Sequence, residues 1–193
     1  WKSEKTAKWS TLFGLKFPFT NSNQKIKGNA LPLAYQSSLG TIDLIVGTNL
    51  NYKKWDFNVG LQFPAINNNR NAYFKENSVT DEFPSTNLFE RKPDALFRTT
   101  YTYKMSNNKF VFKPNVLFLY HLGEDSYENT LGNRQNIDGS DGLTINGNLI
   151  SAYQINKTNS IELSLATPFV VRTIRPDGLT RSFTAALIYK VAF

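Results

Sequence analysis

The stretch "RSFTAALIYKVAF", residues 181–193, alternates between apolar and more polar side chains from Ser182 onward. From that point one parity carries only apolar residues, namely Phe183, Ala185, Leu187, Tyr189, Val191 and Phe193. The other parity carries Ser182, Thr184 and Lys190 among small or aliphatic residues. Because successive side chains of a β-strand point to opposite faces, this pattern predicts a strand with one apolar and one mixed face.

The same alternation recurs in seven further segments, at residues 9–19, 41–52, 55–63, 95–105, 110–122, 143–155 and 161–171. In the second of them, Ile42 and Leu44 flank Asp43 on the opposite parity. Helical periodicity is nearly absent, and no run approaches the eighteen or so apolar residues of a membrane-spanning helix. The sequence therefore predicts an all-β chain of eight strands, forming one domain over residues 1–193.

Short and long connections alternate strictly between these strands. The short ones lie at 53–54, 106–109 and 156–159, and the long polar ones at 20–40, 64–93, 123–142 and 172–181. This order places every long connection at one end of an antiparallel up-and-down sheet and every tight turn at the other. Outer-membrane barrels have this asymmetry, and strands of ten to thirteen residues tilted near 40° span roughly the 25 Å of their apolar band. We predict a transmembrane β-barrel.

Aromatic residues of the apolar parity gather at the strand ends, which favours a bilayer over a soluble lipocalin-like barrel or β-sandwich. The predicted girdle at the tight-turn end comprises Trp9, Tyr52, Trp55, Tyr103, Tyr153, Tyr189 and Phe193. A second group at the long-connection end comprises Phe19, Phe63, Tyr120, Phe169 and Phe183. The two interfaces of a bilayer select such girdles because Tyr and Trp combine an apolar body with a polar tip.

The opposite parity is rich in Asn, Thr, Ser, Gln and Gly with sparse charge, as expected of a wet lumen. Its candidate lumen-lining residues are Lys16, Asp43, Asp56, Arg98, Lys104, Lys113, His121, Glu162 and Lys190. In a narrow barrel these charges would pair and plug the bore. In a wider one they would line a water path that favours anionic or polar solutes. The residues leave both alternatives open. Pro114 lies inside the fifth strand, where it predicts a local distortion because proline cannot donate to the ladder.

Composition argues against several other functions. The net charge of +7 comes from scattered Lys and Arg, which does not indicate nucleic-acid binding. The chain has no cysteine and a single histidine, His121, so neither a metal-ligand cluster nor a catalytic triad is predicted. "DGSDG" at 138–142 is better explained as a turn than as a calcium loop. We expect no cofactor and no enzyme activity.

One long stretch resembles a known family. The matching residues are Gly14-Leu15-Lys16-Phe17-Pro18, then Gly40-Thr41-Ile42-Asp43-Leu44 and Gly47. They resemble the outer-membrane transporter family grouped with the phenol-degradation MetA-pathway proteins, in which a "GLKFP" strand is followed by "GTxDLxxG". Members of that family are longer, so the resemblance implies the C-terminal part of a barrel of about twelve strands. The abrupt start at Trp1 favours this expectation over a complete eight-stranded barrel.

These observations predict a location in the outer membrane of a Gram-negative bacterium, in contact with the lipid bilayer and lipopolysaccharide. The expected function is passive transport of small polar or anionic solutes. The alternative is a structural or accessory subunit that contacts other outer-membrane proteins and has no transport activity. The terminal strand is expected to close on the first. Its residues Tyr189, Val191 and Phe193 are the predicted signal for the barrel-assembly machinery.

Overall fold

Antiparallel strands make up the regular structure in the computed structural model, which describes residues 7–78, 82–105, 109–178 and 182–192. The strands are β1 (Ala7–Lys16), β2 (Lys25–Ile26), β3 (Asn29–Ala30), β4 (Thr41–Tyr52), β5 (Trp55–Asn67), β6 (Asp94–Tyr101), β7 (Tyr103–Lys104), β8 (Phe110–His121), β9 (Ser126–Glu128), β10 (Arg134–Asn136), β11 (Gly142–Gln154), β12 (Asn159–Val170) and β13 (Thr184–Val191). Two single-turn 3₁₀ helices span Leu33–Tyr35 and Lys75–Asn77. Among the described residues, no helix has the length and hydropathy needed to span a bilayer.

One large sheet holds all eight predicted strands in chain order. Its order is β1-β4-β5-β6-β8-β11-β12-β13, with every neighbour antiparallel, and β7 continues the line of β6 along β8. The hairpins β2–β3 and β9–β10 belong to the long connections. The predicted all-β antiparallel meander is therefore confirmed, together with the placement of all long connections at one end.

The two outermost strands, β1 and β13, are free edges of this sheet. In the described part of the chain they do not pair with each other, so a closed barrel is not seen and the predicted closure of the last strand on the first is absent. Every residue of β13 is exposed, because an edge strand has a neighbour on one side only. Each edge leaves a row of backbone N–H and C=O groups without ladder partners.

Burial across the sheet is inverted relative to a protein with an apolar core. The face that carries the predicted apolar parity, the apolar face, is exposed: Phe13 and Leu187 are each 73% exposed and Leu61 52%. On the opposite face, the polar face, the side chains of Asp43 and His121 are at most 1% exposed. Polar side chains thus occupy the protected side of the sheet, and apolar side chains occupy its surface.

The buried hydrophobic residues of the described chain, in contrast, lie in the long connections. We call these connections the cap; its described residues are 17–40, 68–78, 82–93, 122–141 and 171–178. Leu33, Phe89 and Ile137 form its core, and Leu39, Tyr127 and Ile174 pack around it. Since each of the four connections supplies at least one of these residues, the cap is a single packed layer over one end of the sheet.

Prolines account for the irregularities of the sheet. An extra residue bulges from β5 just after Pro64 and from β12 just after Pro168, close to the cap. Opposite Pro114, the strand next to β8 is interrupted between Tyr101, the end of β6, and Tyr103, the start of β7. Both β6 and β7 pair with β8 in the same register. The predicted distortion at Pro114 is therefore confirmed, and its cause is the N–H that proline lacks.

Candidate functional site

The polar face forms an interior that is covered at one end. Near the cap its residues Asp43, Asp94, His121 and Thr144 are at most 6% exposed. At the tight-turn end its residues Asn51, Lys104, Gln154 and Lys190 are all exposed. This gradient shows that the cap covers the polar face at one end of the sheet and leaves it exposed to solvent at the tight-turn end.

The imidazole of His121 joins the sheet to the cap. Its Nδ1 lies 2.7 Å from Oδ1 of Asp94, the first residue of β6, and its Nε2 lies 2.7 Å from Oδ1 of Asp125 in the cap. A carboxylate accepts hydrogen bonds, so an imidazole between two carboxylates donates from both nitrogens and carries a positive charge. Asp125 also accepts the backbone N–H of Lys92 and is fully buried. The sequence predicted that His121 lies on the polar face but did not indicate these partners.

Two arginines extend this network through the cap. Arg91 forms ion pairs with Asp94 and, at 3.0 Å, with Asp177. Asp177 also accepts from Nη2 of Arg172 at 3.2 Å. Burial alone would lower the pKa of the Arg91 guanidinium, but the negative charge of Asp177 and of the two aspartates beside His121 raises it. Three of the long connections are therefore held together by charges that cannot separate without leaving a buried ion unpaired.

A ladder of asparagines organises the cap, and sequence reasoning missed it. The side-chain oxygen of Asn67 accepts the backbone N–H of Asn69, that of Asn69 accepts the N–H of Asn71, and that of Asn71 accepts the N–H of Tyr73. These are consecutive Asx-turns, which asparagine forms by bonding to its own backbone two residues on. The detectable signal was the spacing of Asn67, Asn69 and Asn71 in "NNNRNAY".

The structure places all nine predicted lumen residues on the polar face but does not bring them together. Nζ of Lys16 lies 2.6 Å from Asp43, and Nζ of Lys190 lies 2.7 Å from Glu162. His121 is engaged by the cap network. Asp56 accepts hydrogen bonds from the side-chain amides of Asn49 and Asn58. The carboxylates of this face therefore each have at least one partner, although Oδ1 of Asp43 is buried without a hydrogen bond. The side chains of Arg98, Lys104 and Lys113 make no hydrogen bond or ion pair within the described residues.

A cavity of about 410 Å³ lies on the polar face. Its wall includes Leu12 of β1, Ile45 of β4 and Leu119 of β8, together with the side chain of Arg98. Four strand spacings separate β1 from β8, roughly 19 Å on a flat sheet, so residues from both reach one cavity because the sheet curls toward its polar face.

The predicted girdle residues lie on the apolar face at the tight-turn end. Tyr52 is paired with Trp55 in the β4–β5 register, and the rings of Trp55 and Tyr101 are 4.9 Å apart. Trp9, Tyr103 and Tyr189 are at least half exposed, whereas Tyr153 packs on Phe110. Tyr189 and Val191, two members of the predicted assembly signal, are exposed on β13. Phe193 lies outside the described residues.

Within the described residues, no group of three or more His, Cys, Asp or Glu side chains has the geometry of a metal site. The chemistry available is therefore that of the interior: free cations, amide groups and a partly aliphatic wall.

No family model, curated protein or solved structure matches the chain, so the family resemblance stays a prediction.

Proposed function

We propose that this protein is an outer-membrane β-barrel protein that lets small polar or anionic solutes pass through its interior. The observation that supports it is the inverted burial of the sheet. An exposed apolar face with Phe13, Leu61 and Leu187 on its surface costs free energy in water, at roughly 25 cal/mol per Å² of apolar area. The same face is favourable against lipid, and such contiguous patches mark membrane or partner surfaces.

A membrane location requires partners for the two edge strands. In the apolar interior of a bilayer, every backbone N–H and C=O needs a partner, because no water is available. The free edges of β1 and β13 must therefore be paired in the membrane, either with each other or with additional strands. The exposed aromatic residues at both strand ends would then lie at the two interfaces.

The polar face supports solute passage because its charges are unbalanced. Lys16 and Lys190 are neutralised by carboxylates, whereas Arg98, Lys104 and Lys113 are not. A confined surface with free cations raises the local concentration of anions. The cap covers one mouth in the described conformation, so passage requires the cap to move.

Planar-bilayer recording on the full-length protein tests the proposal. We expect discrete conductance steps, and in a KCl gradient a reversal potential of the sign given by chloride. Phe89→Ala, which removes the fully buried centre of the cap core, should raise the fraction of time spent open. Leu131→Ala, in the cap but 82% exposed, is the matched control and should behave as wild type. Correctly folded protein without any conductance contradicts the proposal.

An accessory role without transport is the second candidate function. The observation that favours it is the order of the cap, which has its own core and covers the interior. A cap of this kind can serve as a contact surface for another outer-membrane protein. Absence of conductance, combined with co-purification of a stoichiometric partner in mild detergent that is lost on Phe89→Ala and kept on Leu131→Ala, would support this candidate instead.

A further inference from the structure

The cavity on the polar face combines two kinds of surface. Its aliphatic wall is made of Leu12, Ile45, Leu96 and Leu119, and Arg98 lines the cavity beside it. Asp94 also lines the cavity, but its carboxylate is already paired with Arg91 and His121. A volume of about 410 Å³ lies within the range of small-molecule sites, which are mostly apolar with a few placed polar groups. An interior that only conducted ions would have no need of the aliphatic part.

Paired glycines provide the space. Gly47 of β4 lies directly opposite Gly60 of β5, and both line the cavity. A Cβ at position 60 would meet nothing closer than the carbonyl oxygen of Val46 at 3.5 Å. Side chains are therefore compatible with the backbone at Gly60, and their absence keeps this part of the cavity empty.

Arg98 is the one cation in this cavity, and its charge is available. Its cross-strand partners are Asn58 and Leu117, and Asp56 is its diagonal neighbour on β5. The oxygens of Asp56 already accept hydrogen bonds from the amides of Asn49 and Asn58. Arg98 itself makes no hydrogen bond or ion pair with any described residue. A guanidinium with free N–H groups next to an aliphatic wall is suited to a carboxylate that carries a hydrocarbon chain.

We propose that this cavity is a binding site for small organic carboxylates with an apolar body, the carboxylate on Arg98 and the hydrocarbon against Leu12, Ile45, Leu96 and Leu119. As a solute site it rests on the proposed function, which it deepens by naming the substrate class. The head group bonds to the guanidinium, and the chain displaces water from the aliphatic wall.

Calorimetric titration of the full-length protein in detergent micelles tests the site without requiring conductance. Hexanoate should bind about tenfold more tightly than butyrate, because each buried methylene contributes roughly a threefold to fourfold gain. Hexylammonium has the same chain with the opposite charge, so it measures partitioning into the micelle and should show no saturable binding. Equal binding of hexanoate and hexylammonium would overturn the proposal.

Matched variants separate the cavity from general attraction to a basic interior. Arg98→Gln should weaken hexanoate binding at least tenfold. Lys113→Gln removes the same charge from the same face outside the cavity and should leave binding within twofold of wild type. Gly60→Leu fills the cavity, keeps every charge, and should also weaken hexanoate binding at least tenfold. Wild-type affinity in both Arg98→Gln and Gly60→Leu would refute the site.

The site and the channel fail in different ways. Conductance without saturable hexanoate binding removes the carboxylate site and leaves the proposed function intact. Hexanoate binding that depends on Arg98 and Gly60, without conductance, leaves the site and contradicts solute passage.

Discussion

Replacing Asn71 by alanine should unlock the cap while leaving the sheet intact. Asn71 is fully buried. Its Nδ2 donates to the carbonyl oxygens of Ser22 at 2.9 Å and Leu31 at 3.0 Å. Its Oδ1 accepts from the hydroxyl of Thr86 at 2.8 Å and the backbone N–H of Tyr73 at 3.0 Å. One side chain therefore links two of the four long connections through four hydrogen bonds.

The expected cost follows from those four bonds. Alanine removes all of them and leaves two carbonyls, one hydroxyl and one N–H to find other partners. At about 1 kcal/mol for each hydrogen bond, the loss is about 4 kcal/mol. Since about 1.4 kcal/mol changes an equilibrium constant tenfold, the opening equilibrium of the cap should shift by about a thousandfold. The sheet makes none of these contacts, so its stability should not change.

Hydrogen–deuterium exchange followed by mass spectrometry measures this shift directly. Peptides from residues 17–40 and 68–78 of Asn71→Ala should exchange about a thousandfold faster than in wild type, while peptides from β11 and β12 keep their protection. Asn77→Ala is the matched control, because Asn77 lies in the same connection but is exposed. Equal exchange in Asn71→Ala and Asn77→Ala would refute the conclusion that the asparagine ladder holds the cap.

Three further substitutions test other parts of the structure. Leu163→Lys on the apolar face should lower the unfolding free energy in lipid vesicles by about 2–4 kcal/mol, measured by urea titration. Ser164→Lys on the polar face should lower it less, and equal losses in the two variants would contradict the proposed membrane face. Gly147→Ala should lose less than about 1 kcal/mol in the same titration, because its Cβ meets only the outer ring atoms of Phe169, and this exposed ring can swing aside by a change of rotamer. A loss above about 3 kcal/mol would show that the ring is held in place. His121→Gln should cost about 3–5 kcal/mol of cap stability, since it leaves the buried Asp125 without a paired cation, whereas Asp94 keeps its ion pair with Arg91. Wild-type hydrogen exchange in the cap would exclude this role.

The sequence predicted the sheet well because strand formation depends on a local pattern. Period-two alternation in segments such as 41–52 needs no knowledge of the rest of the chain, and β4 has those bounds. The end of β5 was predicted at Phe63 but lies at Asn67. The strand bulges after Pro64 and then resumes pairing with β4. Closure of the last strand on the first was predicted but is not seen in the described residues, because alternation within a strand carries no information on contacts between strands far apart in sequence.

The cap was not predicted, because nothing in its local sequence indicates its contacts. Phe89 is the centre of the cap core, yet it lies in a polar connection with no periodic pattern around it. His121 and Asp94 are 27 residues apart, and their approach depends on β6 and β8 being neighbours. The Asn67–Asn69–Asn71 spacing was visible in the sequence. Its local turns follow from asparagine chemistry, but the long-range bonds of Asn71 do not.

The sheet and the cap bury opposite kinds of residue, and this contrast is the strongest argument for two environments. The cap packs Leu33, Phe89 and Ile137 inside, as a structure in water does. The sheet keeps Asp43 and His121 inside and Leu187 outside. Water alone does not favour the exposed apolar face of the sheet, because the hydrophobic effect drives apolar area away from water everywhere in the chain. Under the proposed membrane location, the boundary between water and lipid runs just below the His121 network, where the strands end and the cap begins.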